Sequence, residues 1–367
     1  MSIILFLIIL VILIVSHEFG HFIVAKWSGI RVDEFAVGFP PRLWSKKKGE
    51  TEYSINALPF GGYVKIFGEN PDDESLRGPD HKRSLTAKPR WIQAMVISAG
   101  VIFNILLAWI LLSFGFMIGF PTSIISGSGY EAYAKDVSLT ITNVLEKSPA
   151  SNAGLKPGDR IMLLSSEQDS LLNPTPETLQ GFVASHGNSN ITVSYKRGVA
   201  ENKVDIVPRD GIAEGKPAIG IAMDVVGIVK LPVHRAILEG AKNTYFLLSE
   251  TISGLWSLLK NALLGQGSLA SITGPVGIVK MVGDAGALGL VYLLGFTAII
   301  SINLAVINII PIPALDGGRL LFVLIEAVMR KPIKPVFANV VNGVGFVLLM
   351  ILMVVVTYND IVRLVVG

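Results

Sequence analysis

Cysteine is absent from this 367-residue chain, which excludes disulfides and thiolate metal ligands. Any bound metal must therefore be held by His, Asp or Glu. Charge is scarce: Asp, Glu, Lys and Arg make up 16% of the residues, and the formal net charge is only +3. That balance is too small to indicate a nucleic-acid partner. Histidine is rare, with five in all. Apolar residues take their place, at 51% of the chain with a mean hydropathy of +0.58. This composition belongs to an integral membrane protein with a soluble part.

Four segments are apolar enough to cross a bilayer. They read as residues 1–24, 91–120, about 287–310 and 336–357. The loop at 25–90 is rich in Lys and Arg, from Lys26 and Arg31 through Lys46, Lys47 and Lys48 to Lys88 and Arg90. The loop after the third span adds Arg319, Arg330, Lys331 and Lys334. Positive loops stay cytoplasmic, so both termini and the long segment after Phe120 are expected outside.

The first span contains His17-Glu18-Phe19-Gly20-His21. Imidazoles four residues apart share one helix face and can grip one zinc ion, while the adjacent glutamate serves as general base. From Ile3, His17 lies about 21 Å along the helix, in a hydrocarbon layer about 30 Å thick. Ionisable groups at that depth are costly and usually functional. The pattern points to peptide-bond hydrolysis within the membrane. A secretory signal peptide fits poorly, because no basic start and no small-residue cleavage site flank the apolar run.

A catalytic zinc takes a third protein ligand. His81, His186 and His234 fall in soluble segments. Asp316 is the better candidate, because Asn308-Ile309-Ile310-Pro311-Ile312-Pro313-Ala314-Leu315-Asp316-Gly317-Gly318 follows the third span and its two prolines break the helix. Irregular backbone at membrane depth is tolerated where it lines a site. The competing reading makes Asp316 an ordinary N-cap of the next helix. Asn308 could bond between helices or hold a substrate backbone.

In the 25–90 loop, the alternation of Glu52–Leu58 and of Tyr63–Phe67 predicts a hairpin over about 51–67, bent at Gly61-Gly62. Gly68 to Arg90 reads as a linker. Residues 126–226 read as one compact domain, a small partly open barrel. Its strands are expected at Ile141–Leu145, Arg160–Leu164, Ile191–Lys196 and Val204–Val207, with helices near Ser148–Leu155 and Pro176–Ser185. Residues 232–264 read as one or two amphipathic helices on the outer interface, or packed on the soluble domain.

These residues carry a resemblance. His17-Glu18-Phe19-Gly20-His21 and Asn308-x-x-Pro311-x-Pro313-x-Leu315-Asp316-Gly317-Gly318 are similar to the site-2 protease family of intramembrane zinc metalloproteases, and within it to the bacterial RseP-like members. Asn56-Ala57-Leu58-Pro59-Phe60-Gly61-Gly62-Tyr63-Val64-Lys65 resembles the family's membrane-re-entrant β-loop, and Ser148 to Ile161 resembles a bacterial PDZ domain. The fold implied is a polytopic α-helical membrane protein with four transmembrane helices, a re-entrant β-loop and an inserted α+β PDZ domain at 126–226. The third helix and its active-site segment then run over 287–318.

The resemblance implies that His17, His21 and Asp316 bind Zn2+ and that Glu18 is the base. Asn308, Pro311 and Pro313 would shape the substrate site. Gly61, Gly62 and Tyr63 would pair with an unwound substrate as an added strand, and Asn104 would contribute to substrate binding. The implied setting is the bacterial inner membrane, with the active site towards the cytoplasm. The partners implied are single-span membrane proteins, such as a trimmed anti-sigma factor or a remnant signal peptide, together with membrane lipid and a peptide C-terminus at the PDZ domain. The chain departs from the family pattern in having length for one PDZ domain, where many Gram-negative relatives have two. It also has Val101 where proline often follows Ala-Gly. The rival readings are a membrane-anchored PDZ scaffold without catalysis and a metal-ion transporter. The latter expects a series of intramembrane carboxylates and histidines that the second and fourth spans lack.

Overall fold

The computed structural model describes all residues except 1, 70–72, 125–128, 214–215, 266–272 and 367. In chain order the elements are α1 (Ser2–Trp27), β1 (Val32–Lys48), β2 (Thr51–Ile66), α2 (Asp73–Arg77), α3 (Arg90–Ile118), β3 (Phe120–Ser123), β4 (Ala134–Val144), α4 (Pro149–Asn152), β5 (Arg160–Ser165), β6 (Ser170–Leu172), α5 (Pro176–Ser185), β7 (Ile191–Arg197), β8 (Ala200–Ile206), β9 (Arg209–Ala213), β10 (Lys216–Ala218), β11 (Ile221–Val229), α6 (Val233–Leu263), α7 (Pro275–Leu288), α8 (Leu290–Ile309), α9 (Asp316–Met329) and α10 (Pro335–Val366). They divide into two compact units.

The first unit takes residues 1–112, 237–284 and 294–367. Among the described residues of the chain, four helices are long and apolar enough to cross a membrane: Ser2–Trp27, Arg90–Ile118, Leu290–Ile309 and Val336–Val362. The protein is multi-pass. Within this unit α1 and α3 approach closely, because a Cβ on Gly20 would stand 2.5 Å from the Ala99 carbonyl oxygen. Small residues permit such contact between apolar helices where bulky ones would hold them apart. Ala25, Val32, Val64, Ile66 and Val96 form a buried cluster that seats the β1–β2 sheet on these two helices.

That sheet differs from the expected hairpin. Its turn is at Gly49-Glu50, where Gly49 has φ +65°, and Gly61-Gly62 lies inside β2. Residues 32–37 of β1 are flanked on one side by 62–66 and on the other by 52–55, while 42–48 pair with 51–56. The alternation of 51–67 identified the strand but not its partner, which lies upstream in the chain. The expected linker at 68–90 contains α2 and two short 3-10 turns, at His81–Arg83 and Leu85–Ala87. Hydrogen bonds from Arg31 to Asp80 (2.8 Å) and Glu74 (3.2 Å) tie this segment down.

Residues 233–263 form a single helix. The apolar run expected from Ala287 is split, because Gly289 (φ +120°) separates α7 from α8. Asp360 on α10 is buried, and its carboxylate accepts from the amides of Gly274 (3.0 Å) and Gly277 (2.8 Å) where α7 begins.

The second unit takes residues 113–236 and 285–293. Its seven-stranded antiparallel sheet runs β3-β11-β4-β5-β7-β8, with β6 on β5. Ile141, Ile161, Leu164, Ile191 and Val193 pack with Leu179 and Val183 of α5 to make the core. β3, β6, β9, β10 and β11 were not anticipated. β11 pairs with both β3 and β4 and so closes a sheet whose middle strands were legible in the sequence. Asp159 is fully buried and fully satisfied. It accepts from Arg197 Nε (2.7 Å), Arg197 Nη2 (2.7 Å) and the Lys156 amide (2.8 Å).

Candidate metal centre and active site

The site lies wholly in the first unit. On α1, His17 and His21 are one turn apart, with ring centroids 4.9 Å apart and planes at 78°. Their Nε2 atoms stand 3.2 Å from each other. Asp316, the first residue of α9, brings Oδ2 to 3.0 Å from His17 Nε2 and 3.2 Å from His21 Nε2. All three residues are largely buried, with side-chain exposures of 14%, 10% and 20%.

The hydrogen-bond partners decide which atoms carry protons. His21 Nδ1 lies 2.9 Å from the Val96 carbonyl, which can only accept. The proton of the neutral ring therefore sits on Nδ1, and Nε2 turns a bare lone pair to the centre. His17 Nδ1 lies 3.3 Å from the Asn104 side-chain amide, whose Oδ1 is buried and unpartnered. Rotation of that amide by 180° offers Oδ1 to an Nδ1–H and leaves His17 Nε2 equally bare. Asp316 Oδ2 is itself buried without a hydrogen-bond donor. With both rings neutral and protonated on Nδ1, three lone-pair atoms thus converge within 3.2 Å. That arrangement is repulsive by itself and attractive around a cation. Two imidazole nitrogens and one carboxylate oxygen match the donor set of a catalytic zinc site that keeps a fourth position open.

The backbone around the centre is as demanding as the ligands. A Cβ on Gly100 would lie 2.3 Å from His21 Nε2 and 2.8 Å from His17 Nε2, so α3 passes the imidazoles at a distance only glycine allows. Sequence reasoning did not single out Gly100, and no local pattern marks it. Asp316 does not cap α9: Leu315 is the N-cap, without a side-chain cap hydrogen bond, and Asp316 is the first helical residue. The turn before it is tight. Cβ atoms on Gly317 and Gly318 would stand 2.2 Å from the Ile310 carbonyl oxygen and 2.3 Å from that of Ile312. The Asp-Gly-Gly sequence thus folds the Ile309–Pro313 backbone against the start of α9 and aims the carboxylate at α1.

Glu18 is half-buried beside this centre. The backbone N–H of Val64 on β2 faces its carboxylate. A Cβ on Gly62 would lie 2.8 Å from Ile14 Cγ2 and 3.4 Å from Glu18 Cγ. The β2 segment 62–66 pairs with β1 on one side, and it passes directly beside the glutamate. Tyr63 stacks on Phe39 at 6.4 Å, and Gly61 (φ +149°) packs against the same ring.

Other expected residues fall differently. Asn104 is fully buried, with its side-chain amide 3.3 Å from His17 Nδ1. The close α1–α3 packing brings it there, one turn beyond Gly100. Pro311 is exposed and Pro313 half-buried, the latter meeting Gly345 of α10. Asn308 lies half-buried in the last turn of α8 and is not among the residues meeting His17, His21 or Asp316.

The family model described as peptidase family M50 matches residues 5–352. A Clostridium perfringens protein that carries a zinc metalloprotease name is 37% identical, over 95% of this chain and 95% of its own. A Nostoc protein with a name of the same kind is 34% identical, over 95% and 93%. The zinc metalloprotease RasP of Geobacillus kaustophilus is 30% identical, over 98% of this chain and 97% of its own. Among solved structures, a PDZ domain of an SdrC-like protein from Listeria monocytogenes covers 23% of this chain and 86% of its own. Its identity is 22% and its TM-score 0.20, too low to identify a fold. The motif in α1, the aspartate at the head of α9 and a match over nearly the whole length agree: the chain belongs to peptidase family M50, the site-2 protease family of intramembrane metallopeptidases.

Proposed function

We propose that His17, His21 and Asp316 hold a catalytic zinc ion, that Glu18 is the general base, and that the substrate is a transmembrane segment of a single-span membrane protein. The observation that carries this reading is the convergence of three bare ligand atoms within 3.2 Å, next to a half-buried glutamate. A zinc ion held by these atoms supplies Lewis acidity, the property that lets a metallopeptidase work near neutral pH.

The chain's own residues do the rest. Glu18 takes a proton from the attacking water and returns it to the leaving nitrogen, so that one C–O bond forms and one C–N bond breaks. Val96 and Asn104 hold the two imidazoles in the tautomer that keeps Nε2 free. A helical substrate conceals its carbonyls in its own hydrogen bonds and must be unwound first. Addition of the unwound segment to β2 at Gly62–Ile66 would hold it extended beside Glu18, the role inferred for Gly61, Gly62 and Tyr63 of a re-entrant loop. Pro311 and Pro313 keep the backbone before Asp316 irregular and free of helix, which suits them, with Asn308, to the substrate face.

The Lys- and Arg-rich loops orient both termini outward and the active site towards the cytoplasmic side of the bacterial inner membrane. Residues 126–226 then lie outside as a PDZ domain that admits substrates already trimmed there, by size exclusion or by binding a new C-terminus.

The test is cleavage of a co-expressed single-span reporter, truncated on its outer side. Glu18→Gln should lower turnover by about a hundredfold or more while the protein still binds one zinc per chain. Turnover at the wild-type rate in that variant refutes the assignment.

A further inference from the structure

A cavity of about 560 Å³ opens beside the metal centre within the same unit. Three elements lead from one to the other. On α3, Val96 and Gly100 meet the imidazoles, and Ile97, Gln93 and Arg90 then line the cavity towards the helix start. On α9, Asp316 stands at the centre, and Arg319, Val323 and Glu326 line the cavity on successive turns. On β2, Gly62 lies beside Glu18, and Gly68 and Glu69, just past the end of the strand, line the cavity. The cavity thus begins one helical turn from the centre on both α3 and α9.

The charges of the lining are unevenly matched. Arg90 pairs with Glu326 at 2.5 Å, and Glu326 also accepts from the Ile333 amide at 2.8 Å. Arg319 pairs with Glu69. Lys334, which also lines the cavity, has no carboxylate within 4.0 Å among the described residues. Asn339 and Asn342 add amides. Two arginines are thus paired with carboxylates, whereas Lys334 is exposed and, among the described residues, has no such partner.

Resting on the protease reading above, we propose that this cavity is the subsite for the polar juxtamembrane flank of the substrate and that Lys334 selects an acidic side chain there. The remaining lining is amide and apolar, which suits a short peptide segment better than a bulky anion. Selection works by charge complementarity at one position. The apolar part of the substrate, which spans lipid, carries little to distinguish one protein from another, so its flank is where discrimination by charge is available.

The experiment uses full-length protein in neutral-lipid vesicles and three reporters that differ only in flank residues next to the apolar segment: acidic, neutral and basic. The wild type should give a kcat/KM about fivefold higher for the acidic than for the basic flank, as one exposed ion pair allows, and the ratio should shrink with added salt. Lys334→Glu should invert the order, and Lys334→Ala should bring the ratio close to one. The wild-type ratio needs no substituted protein, so a variant that misfolds does not spoil the test. Equal cleavage of all three reporters by the wild type overturns the subsite, leaves the protease reading standing and assigns the cavity to another occupant such as a lipid headgroup. Failure to cleave any of them overturns both.

Discussion

Two buried aspartates, one in each compact unit, are used in opposite ways. Asp159 in the sheet unit has no exposed surface, and three donors at 2.7–2.8 Å satisfy its carboxylate. Asp316 in the helical unit is also largely buried, yet its Oδ2 has no donor and faces two imidazole nitrogens that present lone pairs. The first arrangement is complete without any partner and holds a turn to a strand. The second leaves a carboxylate oxygen unpaired and is the arrangement proposed above to hold zinc. Burial alone does not distinguish a structural carboxylate from a functional one; the proton count around it does.

Substitution should separate the two roles. Asp316→Asn should abolish cleavage and drop bound zinc below one per chain, while the chelator-treated variant melts no lower than chelator-treated wild type, because the aspartate it replaces was unsatisfied. Asp159→Asn should do the reverse. It should lose about 2 kcal/mol of stability in a denaturation series, since the amide NH2 of Asn would face the donors of Arg197 or Lys156, while the surviving folded protein keeps its zinc. Equal loss of stability in both variants would erase the contrast.

A smaller effect is expected where α3 passes the two imidazoles. Gly100→Ala pushes a Cβ into His21 Nε2 and should weaken zinc affinity about ten- to a hundredfold with the helix content unchanged. Zinc titration in detergent would check it, and unaltered affinity would mean that α3 can retreat from α1.

The smallest effect concerns a satisfied carboxylate of the helical unit, on the loop outside its membrane spans. Hydrogen bonds from Lys26 (2.6 Å) and Arg83 (2.6 Å) hold the Glu50 carboxyl below its ordinary range. A depressed folded-state value contributes stability above the unfolded pKa, about 4.3, and that contribution is lost as pH falls through the folded value. Glu50→Gln should therefore melt slightly below wild type near neutral pH, with the gap closing below about pH 4. A gap that persists at low pH would place the contribution in packing rather than charge.

Much of the centre was legible because its signals are local. His17 and His21 share a face by helix geometry alone. Asp316 stood out because two prolines preceded it where a span had just ended. The middle strands of the second unit were legible from their alternation, for the same reason of local periodicity. Gly100 was not, since its role exists only when α3 lies on α1. Asn104 was assigned to the substrate on resemblance, and packing put it behind His17. The hairpin was expected to bend at Gly61-Gly62, because adjacent glycines signal a turn. The true turn is at Gly49, and the double glycine instead allows close passage of β2 past Phe39, Ile14 and Glu18. β11 was missed because its two partners are about a hundred residues away in the chain.

By itself the sequence determined that the chain is a multi-pass membrane protein, that it carries two imidazoles and a glutamate on one apolar helix, and that no thiolate can join them. Those facts depend on composition and on a helical repeat of 3.6 residues, which need no tertiary contact. Only the tertiary structure decided which backbone must be glycine to pass the imidazoles and which strand segment lies beside Glu18. Each of those is a distance between segments far apart in the chain, set by how closely α1, α3 and the Asp-Gly-Gly turn can pack, and no local pattern encodes it.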